Sequence, residues 1–423
     1  MKLTQRDHAH IWHPLTQHQT ARAPVGIVKA SGSVLIDEHG NSYIDGIASW
    51  YTAMFGHCNP YITQAMTKQM QTLDFVMFSG FTHEPAIELS EKLVAILPPN
   101  QQKVFFNDNG STAVEAAIKM AIQYYHNKSQ KRDTLIAFED GFHGDTFGAM
   151  SASGLSSYNG PFEDFLLKVK RIPTPQDHNL EEVLALLTTI LEQNSCAGFI
   201  FEPLVQGAAG MKFHSAKGLN ALIAMCRAHD VLCIADEIMT GFGKTGTNFA
   251  VEQLQHTPDI MCLSKALTAG MFPLSITSCT QDIFDGFLSN QVHKGFFHAH
   301  TYSAHPVGCA AAIASIELLT SPEILKKRTY IAGAHSVFAE KIQQHPAVKQ
   351  VRCKGVILAI DLAIEMQRYG NLRDELYQFF MDRGVALRPL GNTLYVLPPY
   401  VITKQELTTI YSAIEEALAH YNN

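Results

Sequence analysis

The sequence predicts an α/β protein in which a large domain, built on a mostly parallel sheet, is joined to a smaller α+β domain. Two patterns and the chain length predict this. From about residue 60 onward, short apolar runs of strand length alternate with stretches of helical length, the signature of a sheet covered on both faces. Past about residue 310 the alternation gives way to long helices and two isolated apolar runs. At 423 residues the chain also exceeds the size at which one hydrophobic core stops growing, so two domains are expected.

Residues 1–45 form an N-terminal segment expected to contribute to the small domain. It holds a two-strand element, Val34–Asp37 and Ser42–Ile44, joined by a turn at Glu38-His39-Gly40-Asn41. Residues 46–310 form the expected large domain. There Pro85–Leu97 has the apolar spacing of an amphipathic helix and is stopped by Pro98-Pro99. Val104–Phe106 reads as a strand, with a helix from Ser111 to Asn127 after it. Leu135–Phe138, Gly198–Phe201, Val231–Ala235 and Ile260–Leu263 follow as strands with helices between them. In the expected small domain, residues 311–423, a helix running from Val307 to Thr320 is followed by more helix to about residue 345. Strands then lie near Val356–Ile360 and Leu394–Leu397.

Composition narrows the function classes. Hydrophobic residues make up 46% of the chain and charged residues 17%, enough to bury a large core and unlike a disordered chain. A net charge of -7 without a basic stripe argues against a nucleic-acid partner. No apolar run approaches the roughly 20 residues of a membrane span, and the first residues have no apolar signal core. Eight cysteines, at 58, 196, 226, 233, 262, 279, 309 and 353, form no C-x-x-C pair. Several sit inside apolar runs, which reads as reduced thiols in a cytoplasmic protein.

The most informative pair is Asp236 and Lys265. Each follows a short apolar run, and two buried parallel strands would deliver a carboxylate and an amine to one sheet edge. Pyridoxal 5'-phosphate (PLP) requires that pair: a lysine to bind its aldehyde and an acid to keep the pyridine nitrogen protonated. Other residues fit around it. Gly110-Ser111 opens a predicted helix, where free N–H groups and a hydroxyl hold a phosphate; an ordinary helix cap has the same pattern. Phe142, between Gly141 and Gly144, is a candidate for stacking on a pyridine face, and Asp145 adds an acid beside it. Ile238 would close the ring's other face or belong to the core. Thr301 precedes a long helix and is a second candidate phosphate ligand. Arg388, in an apolar region, needs an anionic partner, either a structural acid or a substrate carboxylate.

Three patterns are read as decoys. Gly241-Phe-Gly243-Lys-Thr-Gly246 matches G-x-G-x-x-G but lies some residues beyond the strand end and does not clearly open a helix. Gly243-Lys244-Thr245 resembles the end of a P-loop, but Ile238 occupies the first glycine's place. His293, His298, His300 and His305 lack the spacing of a metal site with an acid.

Several longer motifs carry a family resemblance that covers nearly the whole chain. They include His10-Ile-Trp-His-Pro14, Asp45-Gly-Ile-Ala-Ser-Trp50-Tyr51 and His143-Gly-Asp-Thr-Phe-Gly-Ala-Met150. They continue through Glu202-Pro-Leu-Val-Gln-Gly207, Ala235-Asp-Glu-Ile238, Ser264-Lys-Ala-Leu-Thr268, and Arg388-Pro-Leu-Gly391 with Tyr395-Val-Leu-Pro-Pro-Tyr400. With these, the chain resembles the class III aminotransferases of PLP fold type I. The Trp50-Tyr51 pair and the Leu-Pro-Pro-Tyr ending are similar to members that aminate an oxo acid in biotin synthesis. Met239 stands where ornithine- and 4-aminobutyrate-type members usually have Gln.

The resemblance implies ping-pong transamination through pyridoxamine phosphate between two small-molecule substrates. It makes Lys265 the Schiff-base lysine and proton shuttle, and Asp236 the pyridinium partner. Gly110 and Ser111 would hold the phosphate, helped by Thr301 from the second subunit of a homodimer, with His300 beside it. Phe142 and Ile238 would flank the ring. Trp50, Tyr51, Leu15 and Ala299 would border the substrate, Asp145 would face its amine, and Arg388 would bind its carboxylate. Leu15 and Phe142 stand where the family commonly has Tyr, Ala299-His300 where it has Gly-Pro, and Lys244 where it has Arg. Another class III ω-aminotransferase and a PLP-dependent aminomutase are the alternatives.

Overall fold

A computed structural model describes residues 3–156, 159–364, 366, 368 and 370–421. Its centre is a seven-stranded sheet in the order Lys103–Asn107, Ser275–Cys279, Ile260–Leu263, Leu232–Asp236, Cys196–Phe201, Thr134–Phe138, Val169–Ile172. Ser275–Cys279 runs antiparallel to both neighbours, and the remaining pairings among the last five strands are parallel. The inner strands of the sheet are buried on both faces, so most of them are apolar at successive positions. Leu135, Ile234 and Cys262 pack on the side of the helix Gly110–Asn127. Ile136, Cys233 and Met261, one residue out of phase, pack into the other core cluster. The helix meets the sheet through Ala113, Ala117 and Ala121, whose small side chains let it lie close.

Each strand read from an apolar run is present within a residue or two of its expected ends, the usual scatter of such boundaries. Strands with polar residues escaped the reading. Ser275–Cys279 is Ser-Ile-Thr-Ser-Cys, yet all five residues are buried. Its hydroxyls are satisfied by the start of a helix distant in sequence: Ser275 Oγ donates to Asn109 O at 2.6 Å and Thr277 Oγ1 to Ala113 O at 2.8 Å. This strand thereby ties the first turn of the helix Gly110–Asn127 to the sheet. Val169–Ile172 and Ile27–Ser31 are further unread strands, the first with two basic residues among its four.

The N-terminal hairpin is larger than the sequence suggested. Ile27–Ser31, Val34–Asp37 and Ser42–Asp45 form an antiparallel sheet, and Val385–Ala386, from far along the chain, adds in parallel to Ser42–Asp45. Beyond it, Val348–Lys354, Ile357–Leu362 and Thr393–Val396 make a three-stranded antiparallel sheet. The helix Pro306–Leu319 packs on Pro60–Thr72, Glu84–Ile96 and the turn holding Lys265. It therefore sides with the large sheet for several residues past position 310. Its sequence is apolar nearly all round, so periodicity gave no hint of which neighbour it covers.

Candidate active site

Six strands of the central sheet, all but Ser275–Cys279, end at the same edge, and the residue types expected for chemistry lie just past those ends. Leu232–Asp236 and Ile260–Leu263 are parallel neighbours, with Asp236 opposite Cys262. Lys265 comes two residues beyond the second strand and opens a short 3-10 turn with a left-handed φ of 50°. Alternation along Leu232, Ile234 and Asp236 turns the carboxylate toward the face covered by the helix Gly110–Asn127. The amine and the acid thus reach one edge, as the spacing predicted.

Asp236 is held rigidly. It is 3% exposed, its Oδ1 accepts the backbone N–H of Ile238 at 3.0 Å, and its Oδ2 lies 2.7 Å from His143 Nδ1. The other ring nitrogen of His143 is buried without a partner. Glu202, directly after the strand Cys196–Phe201, accepts the N–H groups of Phe142 at 3.1 Å and Gly207 at 2.9 Å. Burial pushes its pKa up to about 7, with His143 opposing and Asp236 adding to the rise. Burial also lowers the pKa of Lys265, against the pull of Asp236 and Glu202. A depressed amine pKa leaves more of the nucleophilic form at neutral pH.

The helix Gly110–Asn127 begins with a capping box. Asn109 accepts the N–H of Thr112 at 3.1 Å, and Thr112 Oγ1 accepts the N–H of Asn109 at 3.2 Å. That arrangement leaves the N–H groups of Gly110 and Ser111 outside the helical ladder, facing whatever lies beyond the helix end. Ser111 Oγ accepts the N–H of Thr146 at 3.1 Å, and Thr146 Oγ1 donates to Glu115 at 2.5 Å. Gly144 must be glycine: its φ is +132°, and a Cβ there would fall 2.1 Å from Ser111 Oγ. Gly110 is less confined: a Cβ would sit 3.0 Å from the Ile238 side chain, a tight contact.

A second group of residues lies where the N-terminal hairpin meets the C-terminal strands. Ala48, Ser49, Trp50 and Tyr51 adopt successive positive φ values of 46°, 43°, 69° and 68°. Left-handed conformation costs an L-residue about 1–2 kcal/mol, so this turn carries roughly 4–8 kcal/mol of strain. It presents Trp50 half-exposed, with the Arg388 guanidinium 5.2 Å from the ring centroid. Tyr51 is buried, its ring 5.7 Å from that of Tyr395. Among the described residues Arg388 has no hydrogen-bonded or ion-paired acid, so the structural alternative for this arginine finds no partner.

Other expected site residues are more dispersed within the single chain. Phe142 and Asp145 are exposed beside His143, while Ile238 is buried against Gly110. Ala299 and Thr301 are exposed on the loop before the helix Pro306–Leu319. Both ring nitrogens of His300 are shielded from solvent yet unpartnered. Nothing among the described hydrogen bonds links this loop to Gly110 or Ser111; it is tied to the helix Gly110–Asn127 by Lys119 Nζ to His298 Nδ1, 3.0 Å, and by Gln123 Nε2 to Gly295 O, 2.8 Å. Leu15 is exposed with a left-handed φ of 51°. The Gly241–Gly246 stretch is a run of turns, buried as far as Thr245 and followed by no α-helix, which removes the dinucleotide reading. Lys244 within it is fully buried, its Nζ donating to Gly241 O at 2.8 Å.

A family model described as Aminotransferase class-III matches residues 16–418. The chain belongs to the class III aminotransferases. It is 44% identical to an adenosylmethionine-8-amino-7-oxononanoate aminotransferase of Synechococcus elongatus over 420 residues, 97% of this chain and 99% of that one. A protein of the same name from Geobacter sulfurreducens is 37% identical over 440 residues, 97% of this chain and 96% of the relative. The solved structure of the Methanocaldococcus jannaschii protein of that name aligns with a TM-score of 0.94 at 32% identity, covering 99% of this chain and 98% of that one. The ω-transaminase of Pseudomonas jessenii, solved with PMP, aligns at 0.92 with 26% identity over 99% and 98% of the two chains.

Class III aminotransferases use PLP, and the residues of this aminotransferase suit it. A helix end with unpaired N–H groups suits a phosphate, and a buried carboxylate suits a protonated ring nitrogen. Three features of the site were not read from the sequence. His143 and Glu202 stood in the motifs without a role, and Lys244 was noted only as a departure. Glu202 was findable, because it follows the strand Cys196–Phe201 just as Asp236 closes its own strand.

Proposed function

We propose that this aminotransferase converts 8-amino-7-oxononanoate to 7,8-diaminononanoate in biotin synthesis, with S-adenosyl-L-methionine as the amino donor. The observation that carries the reading is full-length similarity to relatives bearing that name, at up to 44% identity. The unpaired Arg388 over Trp50 supports it, because an oxo acid brings a carboxylate and an alkyl chain to such a wall.

Gly110 and Ser111 would hold the cofactor's phosphate, Asp236 its ring nitrogen, and Phe142 and Ile238 its two faces. Bound there, PLP supplies the aldehyde that takes up the donor's amino group and the ring that withdraws electrons from the reacting carbon. Asp236 keeps a negative charge aimed at one point, since His143 and the Ile238 N–H fix both of its oxygens. Lys265, with its lowered pKa, takes the proton from the donor's α-carbon and returns one on the far side of the transfer. Trp50, Tyr51, Leu15 and Ala299 border the substrate chain, Arg388 holds its carboxylate, and Asp145 faces its amine.

The active unit is a homodimer in which Thr301 and His300 of one protomer complete the other's phosphate site. Thr301 is exposed within its own chain, and the same segment exposes Val292, Phe297 and Tyr302, apolar surface that a second copy would cover. The chain divides into an N-terminal segment to residue 45, a large cofactor-binding domain and a C-terminal small domain. Pairing of Val385–Ala386 with Ser42–Asp45 supports joining the first of these to the last. A cytoplasmic location suits its free cysteines, and no single described helix is long and apolar enough to cross a membrane. The deciding experiment mixes purified protein with 8-amino-7-oxononanoate and either S-adenosylmethionine or lysine, and follows the diamine. Formation of diamine with the first donor is expected. Absence with both, alongside turnover of an unrelated ω-amine, would move the protein to another class III activity.

A further inference from the structure

The left-handed turn that carries Trp50 and Tyr51 is braced from behind by a side-chain cluster to which nothing so far assigns a role. Asp45, 1% exposed, closes the strand Ser42–Asp45. Its Oδ1 accepts the N–H of Ile47 at 3.2 Å, and its Oδ2 accepts Ser49 Oγ at 2.8 Å. His57 Nε2 meets the same Oδ2 at 2.8 Å and lies 3.4 Å from Ser49 Oγ. The histidine is itself anchored: its N–H donates to Gly32 O at 2.7 Å, and its carbonyl accepts the N–H of Gly32 at 3.1 Å. Gly56 allows this approach, since a Cβ there would press on Gly32. The cluster therefore links the N-terminal hairpin to the first half of a strained turn.

We propose that His57 is a positioning residue for the acceptor substrate: through Asp45 and Ser49 it holds residues 48–51 left-handed, and so keeps Trp50 against Arg388. Four successive residues in a disfavoured conformation persist only where their surroundings over-determine them. Asp45 supplies two such restraints, at Ile47 and Ser49, and His57 fixes the orientation of Asp45. When His57 is removed, Asp45 keeps Ile47 and Ser49 but loses the partner that orients its Oδ2, the turn relaxes toward right-handed backbone, and Trp50 leaves the Arg388 guanidinium. His57 itself is directed at Asp45 and touches neither Trp50 nor Arg388.

The inference rests on the reading of Trp50 and Arg388 as the wall that receives the oxo acid. A Trp12→Phe background leaves Trp50 as the single tryptophan, so its emission reports the turn without any substrate. In the holoenzyme, His57→Ala should red-shift Trp50 emission and raise its quenching by acrylamide. The KM for 8-amino-7-oxononanoate should rise roughly tenfold, the size expected for losing a charge-assisted bond, while kcat changes less than about threefold. His57→Gln, which keeps a donor toward Asp45, should restore both readouts in large part. Ser49→Ala, which removes one restraint without touching His57, should shift both in the same direction by less, and it serves if His57→Ala fails to fold. Unchanged emission in either folded variant overturns the brace. Shifted emission with an unchanged KM overturns the acceptor wall instead. A fall in kcat and cofactor content at constant KM would make His57 merely structural.

Discussion

Lys244 offers a quantitative test, because this chain buries an ammonium-bearing side chain completely behind its active-site edge. Its Nζ has one hydrogen bond, to Gly241 O, and burial pushes its pKa from 10.5 down to about 7, with the charge of Lys265 adding to the fall and Glu237 opposing it. The folded protein therefore binds this proton less readily than the unfolded chain. Stability rises with pH between about 7 and 10.5, and the full penalty is present below pH 7. A depression of that size corresponds to roughly 5 kcal/mol. Replacing Lys244 by Met keeps the length and the apolar stem but loses one hydrogen bond, worth about 1 kcal/mol. Lys244→Met should then stabilise the protein below pH 7 by on the order of 3–4 kcal/mol, with the gain shrinking as pH rises above 7.

Unfolding entropy of about 2.1 cal/mol/K per residue makes each kcal/mol worth roughly 1 °C in a chain of this length. The expected gain is thus about 3–4 °C in Tm at pH 6 and little or none at pH 9.5. The assay is differential scanning calorimetry of both holoenzymes across that range, with the variant compared to wild type at each pH so that other titrations cancel. A Tm difference that is independent of pH, or larger at pH 9.5 than at pH 6, would refute the reasoning. The carboxyl of Glu237 is pushed up to about 7 by burial, so it loses its proton over the same range. A Glu237→Gln variant should keep the sign of the Lys244→Met result while altering its midpoint.

Three further outcomes test the site. Asp236→Asn should retain PLP, measured by its visible absorbance, but slow single-turnover transfer by on the order of 10²-fold or more, since an amide cannot supply the negative charge; a near wild-type rate would remove that role. Lys265→Ala and Thr301→Ala should each lose most activity, yet regain part of it, at most about a quarter, on mixing and refolding, because a mixed dimer holds one site free of both changes. A stable, fully active monomer in sedimentation would end the shared-site reading. Arg388→Lys should raise KM for 8-amino-7-oxononanoate roughly tenfold, the effect of losing a bidentate charge-assisted contact, and should affect the donor half-reaction less. Half-reaction kinetics check this, and unchanged acceptor binding would make Arg388 structural.

The fold and the placing of Asp236 and Lys265 at one sheet edge were legible for one reason. Strands buried on both faces are apolar throughout, so the strands ending at Asp236 and before Lys265 stood out, and parallel pairing then brought their ends together. Strands that satisfy polar side chains internally gave no such signal: Ser275, Thr277 and Ser278 are fully buried, each hydroxyl spent on a neighbour. Those bonds depend on residues far away in sequence, and no local pattern reveals them. The same limit hid the partners of Asp236. His143 is 93 positions away, and only the packed sheet puts its ring 2.7 Å from the carboxylate. Lys244 reads in sequence as an ordinary polar turn residue, because full burial is a property of the packing around Gly241–Gly246 and not of the turn.

The structure also separates two tasks that the sequence motifs run together. Residues suited to the cofactor, Gly110, Ser111, Asp236 and Lys265, sit just at or beyond strand ends of one sheet, where backbone pairing over many residues fixes them. Residues suited to the substrate, Trp50, Tyr51 and Arg388, sit where three parts of the chain converge. The turn 48–51 follows the N-terminal hairpin, Arg388 follows the short strand Val385–Ala386, and Tyr395 comes from the three-stranded sheet. Gly46 joins these parts, donating to Ala386 O at 3.1 Å and accepting the N–H of Leu397 at 2.8 Å. A substitution in the central sheet therefore threatens the chemistry for every substrate. One at the convergence moves a wall whose restraints are a handful of side-chain bonds, so changes of substrate among related chains should concentrate there and leave the strand ends alone.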